Sequence, residues 1–242
     1  MIFVQDNSVQ SINAALNVIQ KNQNPAQTSR GRRFSISVSG NAISCYIPDF
    51  PELVANVTNV KLILPQLDTG SPTLNINGLG AKPIKAVRDG QLIDIVSHQG
   101  FWSGATRSSD NTQRVARVWD NNTTLELIYD GTNWVTVGNP ALCSYYSDTC
   151  SYIVYADGLI HQWGTYDKGS NTRSLYSTEI FPVQYTNEGS YMINIASARY
   201  GNGNFTGGIG VREQYSYSAY MGWYGMTDSD QSRYLKWETL GL

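Results

Sequence analysis

Hydrophobic residues recur at every second position in segment after segment of this 242-residue chain, and this period constrains the fold more than any other feature. Phe34-Ser-Ile-Ser-Val38 alternates cleanly, and Ile43, Cys45 and Ile47 resume the alternation after Gly40-Asn41. Successive side chains of a β-strand point to opposite faces of the sheet, so the alternation indicates strands with one buried face. Glycine beside asparagine between two such runs is typical of a hairpin turn. The sequence therefore predicts a mainly β protein.

The composition of the chain argues against nucleic-acid binding and membrane insertion. Charged residues make up 15% of the chain and the formal net charge is −2, so there is no basic excess to neutralise a nucleic-acid backbone. No run approaches the roughly 20 apolar residues that a membrane helix needs, and the first residues have no basic start of a secretory signal. We expect a protein that is made in the cytoplasm of a cell, with neither nucleic acid nor membrane insertion among its interactions.

One segment near the start has a helical period instead. Val9, Ile12, Leu16 and Ile19 follow a 3-4-3 spacing, and Pro25 prevents the helix from continuing. This pattern predicts a short N-terminal helix within residues 1–25. Its apolar stripe either packs on the body of its own chain or forms the seam of a parallel bundle in a homotrimer.

Residues 30–139 are predicted to form a middle antiparallel β domain. Val60-Lys-Leu-Ile-Leu64 is an apolar run bounded by a proline, which favours a buried strand. Later, Leu125, Leu127 and Tyr129 alternate before the turn Asp130-Gly131, and Trp134 is expected to cross back over the preceding strand.

Two phrases of this middle domain resemble a module of bacteriophage tail-fibre and host-specificity proteins. The first is Thr73-Leu-Asn-Ile-Asn-Gly-Leu-Gly-Ala-Lys-Pro-Ile84, and the second is Tyr129-Asp-Gly-Thr-Asn-Trp134. They occur in the same order as in those fibres, over about residues 68–138. Between them, the polar, glycine-broken loop from His98 to Arg114 departs from the compact form of the module.

A further resemblance covers residues 151–242. Gly158-Leu-Ile-His-Gln-Trp-Gly164, then Phe181-Pro182, then Trp237-Glu-Thr-Leu-Gly241 resemble the C-terminal tip domain of phage tail fibres. The resemblance implies a β-sandwich receptor-binding tip, here residues 141–242, in a homotrimer. It also implies that Trp163, Phe181 and Trp237 are core or interface anchors, with Phe181-Pro182 at the entry of a long strand.

Candidate receptor contacts come from two polar loops and an aromatic run. Loops on a rigid scaffold often carry recognition, and exposed aromatic rings suit sugar rings. The alternatives are solvated turns for the loops, and core or trimer-interface packing for the aromatics between Tyr215 and Tyr224. A secondary candidate is the 98–114 loop with its exposed-looking Phe101-Trp102. The primary candidates are Tyr166, Arg173, Arg199, Tyr200, Asn202, Asn204, Arg212 and Tyr220.

No arrangement of residues indicates catalysis, a metal or a cofactor. Asp228 and Asp230 are two apart, but their Ser- and Thr-rich surroundings favour a turn over a pair of catalytic carboxylates. Cys150 and His161 have no readable activating context for a thiol nucleophile. The two histidines are far apart in sequence, so the paired ligands of a metal site are missing. We predict that the chain is not an enzyme and binds no metal.

Together these patterns predict a tail-fibre receptor-binding protein of a phage virion. Its expected partners are two further copies of itself, other tail or baseplate proteins, and a glycan or outer-surface protein of a bacterium. Two alternatives stay open. One is a tailspike depolymerase acting on capsule or lipopolysaccharide, and the other is a structural shaft or baseplate component without receptor contact.

Overall fold

A computed structural model describes residues 35–48, 50, 52–102, 114–147, 149–172, 175–199, 208–224 and 232–242. This part of the chain is mainly β, and no α-helix occurs in it. The helix expected within residues 1–25 lies outside the described residues. The chain divides into two compact units: unit 1 draws on residues up to Ile95 and on Asn121–Pro140, and unit 2 comprises Val96–Asp120 and Ala141–Leu242.

Strands follow one another along the described ranges. In chain order they are β1 (Ser35–Ser39), β2 (Ala42–Tyr46), β3 (Asn59–Leu64), β4 (Thr73–Ile76), β5 (Lys82–Arg88), β6 (Gln91–Asp94), β7 (His98–Gly100), β8 (Val115–Arg117), β9 (Thr123–Tyr129), β10 (Trp134–Thr136), β11 (Ala141–Tyr145), β12 (Cys150–Tyr155), β13 (Ile160–Thr172), β14 (Leu175–Ile180), β15 (Tyr191–Arg199), β16 (Gly208–Tyr215), β17 (Ser218–Tyr224) and β18 (Ser232–Gly241).

Unit 1 is built on one eight-stranded sheet with the order β1-β2-β4-β5-β10-β9-β3, to which β6 adds by pairing with β5. The expectation of a purely antiparallel domain is wrong, because β2 pairs parallel with β4 and β5 pairs parallel with β10. Parallel neighbours need a long connection, and each of these pairs is separated by other strands in the chain. Period-two patterning reports burial and not strand direction, so the sequence could not distinguish the two.

Alternation along the strands of unit 1 sets which side chains enter its core. In β3 the side chains of Val60, Leu62 and Leu64 are buried, whereas Ile63 is 63% exposed. The strand predicted to be buried is therefore buried on one face only. In the hairpin of β9 and β10, Trp134 lies opposite Tyr129 and their ring centroids are 5.5 Å apart, as the sequence predicts.

Unit 2 contains a two-stranded sheet of β7 and β8 and two larger sheets that share a core. One has the order β11-β12-β13-β18-β15, and the other has the order β14-β17-β16. Large apolar side chains from both, including Trp237 of β18 and Met221 of β17, belong to one buried cluster. Two sheets that bury their inner faces against each other form a sandwich. The aromatic run near Tyr220 is part of this arrangement, but it is a hairpin with a turn at Ser216–Tyr217 and not a single strand.

Residues 96–120 belong to unit 2, and this overturns the exposure expected for Phe101 and Trp102. These side chains are only 4% and 6% exposed. The Phe101 amide donates to the carbonyl of Pro182, and the Trp102 indole Nε1 donates to the carbonyl of Val115 at 2.6 Å. A polar local sequence suggested a solvated loop, but contacts with residues far along the chain decide the burial of these rings.

The buried side chain of Arg114 stabilises the same segment through hydrogen bonds to backbone carbonyls. The Arg114 guanidinium donates to the carbonyls of Phe181 at 2.6 Å, Pro182 at 3.1 Å and Tyr217 at 3.3 Å. It also lies over the Phe101 ring, 4.6 Å from the centroid. Burial lowers the pKa of Arg114 to about 10, opposed by a smaller effect of Tyr217, so the group is still charged at neutral pH.

Arg114→Met should destabilise unit 2 by about 3 kcal/mol, because buried carbonyls lose a charged donor. Arg114→Lys should restore little of this, since an ammonium group cannot match the planar fork of guanidinium donors. Urea unfolding followed by tryptophan fluorescence measures both. Lys61→Met, at an exposed position of β3 in unit 1, is the control. Unchanged unfolding midpoints for both Arg114 variants would contradict this role.

His98 should make unit 2 sensitive to mild acid. Burial lowers the pKa of His98 from 6.5 to about 4. Between pH 6.5 and about 4, His98 binds a proton in the unfolded chain but not in the folded chain. The free energy of unfolding should therefore fall as pH drops below 6.5, by at most about 1.4 kcal/mol per pH unit. His98→Gln should flatten this slope between pH 6.5 and 5, above the range in which carboxylates titrate. Equal slopes in thermal melts of parent and variant would refute the assignment.

Candidate functional site

The segments that carry the tip-domain resemblance meet in one place in unit 2. Strands β13 and β18 are antiparallel neighbours, with Gly164 directly opposite Trp237. Trp237 is 2% exposed, and its ring covers the glycine so closely that an added Cβ at Gly164 would lie 2.7 Å from a ring atom. Only glycine leaves room for the ring at this position, so the two residues fit as a pair.

Gln162 extends this joint into the core. Its side chain is fully buried, its Nε2 donates to the carbonyl of Val183 at 2.8 Å, and its Oε1 accepts from the Val183 amide at 2.7 Å. Beside it, the Tyr185 hydroxyl donates to Thr239 Oγ1 at 2.6 Å. Burial raises the pKa of Tyr185 to about 12, so this hydroxyl keeps its proton at neutral pH. The side chains of Gln162, Tyr185 and Thr239 are therefore paired, whereas the buried Trp237 Nε1 has no hydrogen-bond partner among the described residues.

Phe181 is a core anchor, as the resemblance implies. Its side chain is fully buried, and its ring lies 5.5 Å from that of Trp237 and 5.3 Å from that of Tyr191. The expected strand entry is wrong, however, because β14 ends at Ile180 and Phe181 comes directly after it. The segment from Phe181 to Tyr185 is an irregular, buried connection.

Trp163 lies on the opposite face of the sheet from Trp237. Its neighbours in β13, Gln162 and Gly164, face the core, so alternation turns Trp163 outward, where it is half-buried. Trp237 is thus the core anchor of the pair, and Trp163 is not. Both residues are tryptophans, so residue type does not distinguish them. The difference depends on which positions of each strand face the core.

Three side chains gather around Trp163, and together with it they form a group that we name the outer cluster: Tyr146, His161, Trp163 and Glu238. The rings of Tyr146 and Trp163 are 5.7 Å apart at 57°, and those of His161 and Trp163 are 4.7 Å apart at 43°. His161 Nε2 lies 2.7 Å from Glu238 Oε1. Tyr146 is 64% exposed, and 52% of the Glu238 side chain is exposed. The outer cluster therefore offers aromatic surface beside a polar edge.

No local sequence pattern predicts the outer cluster. Tyr146 comes just after β11, and its place beside Trp163 follows from sheet order, which no local pattern reveals. Glu238 stands out in the sequence only as part of Trp237-Glu-Thr-Leu-Gly241, and Asp228 and Asp230 lie outside the described residues. The useful signal was the parity of β13 and β18, since Trp163 lies opposite Glu238 and His161 lies opposite Leu240.

The receptor contacts expected from sequence are placed only in part. Tyr166 lies opposite Leu235 in the sheet, and Arg199 lies opposite Ser232. Tyr220 is half-buried in β17, and Arg212 is in β16 at a register shift between its neighbours. The other expected contacts lie outside the described residues, namely Arg173, Tyr200, Asn202 and Asn204. The role of all eight residues as receptor contacts stays a prediction.

The remaining chemical candidates can be placed as well. Cys150 lies opposite Gly164 while His161 lies opposite Ile153, so the thiol and the imidazole are not cross-strand partners. Among the described residues there is no group of three or more His, Cys, Asp or Glu side chains placed to hold a metal ion. Within the same ranges, no helix is long and apolar enough to cross a membrane.

Comparisons with known proteins give two partial structural matches. No protein-family model matches the chain, and no curated protein matches it. An N-truncated R1-type pyocin tail fibre is similar over 44% of this chain and 87% of its own, with a TM-score of 0.35 and 12% identity. A C-terminal fragment of the P. aeruginosa R1 pyocin fibre has a TM-score of 0.34 and 12% identity, over 44% of this chain and 28% of its own. At such TM-scores these matches carry no argument about this chain.

Gly164→Ala should destabilise unit 2 by about 1–3 kcal/mol, because the added methyl group meets both the Trp237 ring and the backbone carbonyl of Thr149. Thermal unfolding measures the loss. Met192→Ala, at a position that is 69% exposed in the same sheet, is the control and should change the free energy of unfolding by less than about 0.5 kcal/mol. If Gly164→Ala melted with the control, Trp237 would not need the glycine.

Proposed function

We propose that this chain is a tail-fibre receptor-binding protein that attaches a phage or phage-like particle to the surface of a bacterium. Support comes from the residues that carry the tip-domain resemblance. Gly158-Leu-Ile-His-Gln-Trp-Gly164, Phe181 and Trp237-Glu-Thr-Leu-Gly241 are far apart in the chain. In the fold they build one joint, in which Trp237 packs on Gly164 and Gln162 bonds Val183.

The contacts of the joint explain why these residue types recur together. Gly158 has a positive φ of 87° in the turn between β12 and β13, where other residues would be strained. Gly241 lies against Ser190 and Tyr191, where an added Cβ would collide with backbone atoms. The core-facing residues of these phrases are thus needed for packing, and this single observation carries the proposal: the resemblance describes one structural unit and not a set of separate short matches.

The proposal includes a homotrimer on the virion, with its N-terminal segment joined to other tail or baseplate proteins. Attachment is non-enzymatic and uses a surface glycan or an outer-surface protein. Three copies around one axis would present three weak sites to the same surface, so that avidity would replace a single tight site.

A cell-binding assay tests this function. Fluorescently labelled protein should bind some strains of a bacterial panel and not others, and unlabelled protein should compete. Light scattering should give three times the chain mass of 26.8 kDa. Incubation with the polysaccharide of a bound strain should release no new reducing ends.

Each other outcome points elsewhere. A failure to bind every strain of a broad panel favours a structural shaft or baseplate component. Release of reducing ends favours the depolymerase. A monomer at micromolar concentration would remove the trimer from the proposal.

A further inference from the structure

The outer cluster has no part in the joint beneath it. The joint is explained by side chains on the core face of β13 and β18, and Trp163, His161 and Glu238 point the other way. A large aromatic ring held half-exposed at the middle of a sheet, beside a more exposed tyrosine, is not needed to close the core. It is surface that a ligand can use.

We propose that the outer cluster is a glycan subsite that takes one pyranose ring. This inference rests on the proposed function, because it names the ligand class and the residues with which unit 2 holds a bacterial surface. It shares no residue with the receptor contacts expected from sequence, and all four of its side chains belong to a sheet face or its immediate margin.

The aromatic half of the subsite fits the apolar face of a sugar. Tyr146 is 64% exposed, and its ring centroid lies 5.7 Å from that of Trp163. The axial C–H groups of a pyranose pack against such flat, polarisable rings, which lose little side-chain entropy on binding. Tyr146 supplies most of the open surface, and Trp163 holds it in place from the sheet.

The polar half fits the hydroxyl groups at the edge of the same ring. Glu238 Oε1 and His161 Nε2 form a 2.7 Å pair, with 52% and 30% of their side chains exposed. A carboxylate accepts hydrogen bonds from two neighbouring hydroxyls, and an imidazole can donate or accept. An acceptor and a donor side by side match vicinal hydroxyls better than they match a lone cation, for which the carboxylate alone would serve.

The backbone fixes this geometry before any ligand arrives. Strand β13 is bonded to β12 on one side and to β18 on the other. Trp163 and Glu238 are direct cross-strand partners. The Cβ atoms of such partners lie about 5 Å apart in an antiparallel pair. A preformed site avoids the cost of ordering loops when it binds.

The row of the sheet that crosses Trp163 favours a sugar over a second copy of the chain, although the adjacent row on this face contains the exposed Leu240 and Met192. Along the row of the sheet that crosses Trp163, the partners are Ser151, Glu238 and Asn194, all polar. The next residue outward on β18 is the exposed Lys236. Stable interfaces between subunits are depleted of charge at their centre, whereas sugar sites combine rings with charged and amide groups.

The test uses the full chain and a polysaccharide purified from a strain that the parent protein binds. Tyr146→Ala and Glu238→Gln should each weaken binding about tenfold or more, as expected for a contact at the centre of a small site. Tyr46→Ala is the matched control, because Tyr46 is 63% exposed in unit 1 and should bind as the parent does. Both site positions are exposed, so thermal melts of all three variants should match the parent.

The alternative results separate this inference from the proposed function. If the parent binds cells and both site variants bind the polysaccharide equally well, the subsite is refuted and attachment stands. If the parent binds cells but not their purified polysaccharide, the ligand is not a glycan. Displacement by choline would identify a cation site, and loss of the trimer in Tyr146→Ala would identify an interface between copies. A parent that binds no strain refutes the proposed function itself.

Discussion

The close contact between Trp237 and Gly164 is the constraint on which unit 2 depends. A tryptophan ring can pack this closely against a neighbouring strand only where the residue that faces the ring has no side chain. With the ring in place, β18 is held between β13 and β15, and the ring reaches Phe181 in the core. The register that sets Gly164 opposite Trp237 also sets Trp163 opposite Glu238. Core packing on one face thus positions the outer cluster on the other.

The second requirement is that an irregular buried segment keeps its backbone bonded. The connection after β14 forms no strand, but its backbone bonds to other segments, as when the Phe101 amide donates to the Pro182 carbonyl and the Gln184 amide donates to the Gln99 carbonyl. Side chains add further partners: Arg114 donates to the carbonyls of Phe181 and Pro182, and Gln162 bonds both backbone groups of Val183. Buried peptide groups rarely go unpaired, so Arg114 and Gln162 stabilise the fold by bonding the backbone of this segment.

Local patterns in the sequence predicted what local geometry controls. The alternation around Ile43 and Cys45 and the hairpin that returns Trp134 over Tyr129 agree with the fold. The burial of Phe181 and Trp237, which the tip-domain resemblance implies, agrees with it as well. The errors share a cause, which is contact across long stretches of chain. Phe101 is buried by partners near Pro182, and parallel pairing in unit 1 depends on the order of strands. The outer cluster escaped notice for the same reason, because sheet order and register bring Tyr146 and Glu238 to Trp163.

The pairing of β13 with β18 also has a consequence for biosynthesis. His161 and Glu238 are 77 positions apart, although their side chains touch. At elongation rates of about 5–20 residues per second, β13 waits several seconds on the ribosome for this partner, with only β12 beside it. During that interval the strand presents an open edge that another nascent chain can occupy. Where neighbouring ribosomes translate the same message, this delay gives sister chains their best opportunity to exchange strands, for assembly or for misassembly.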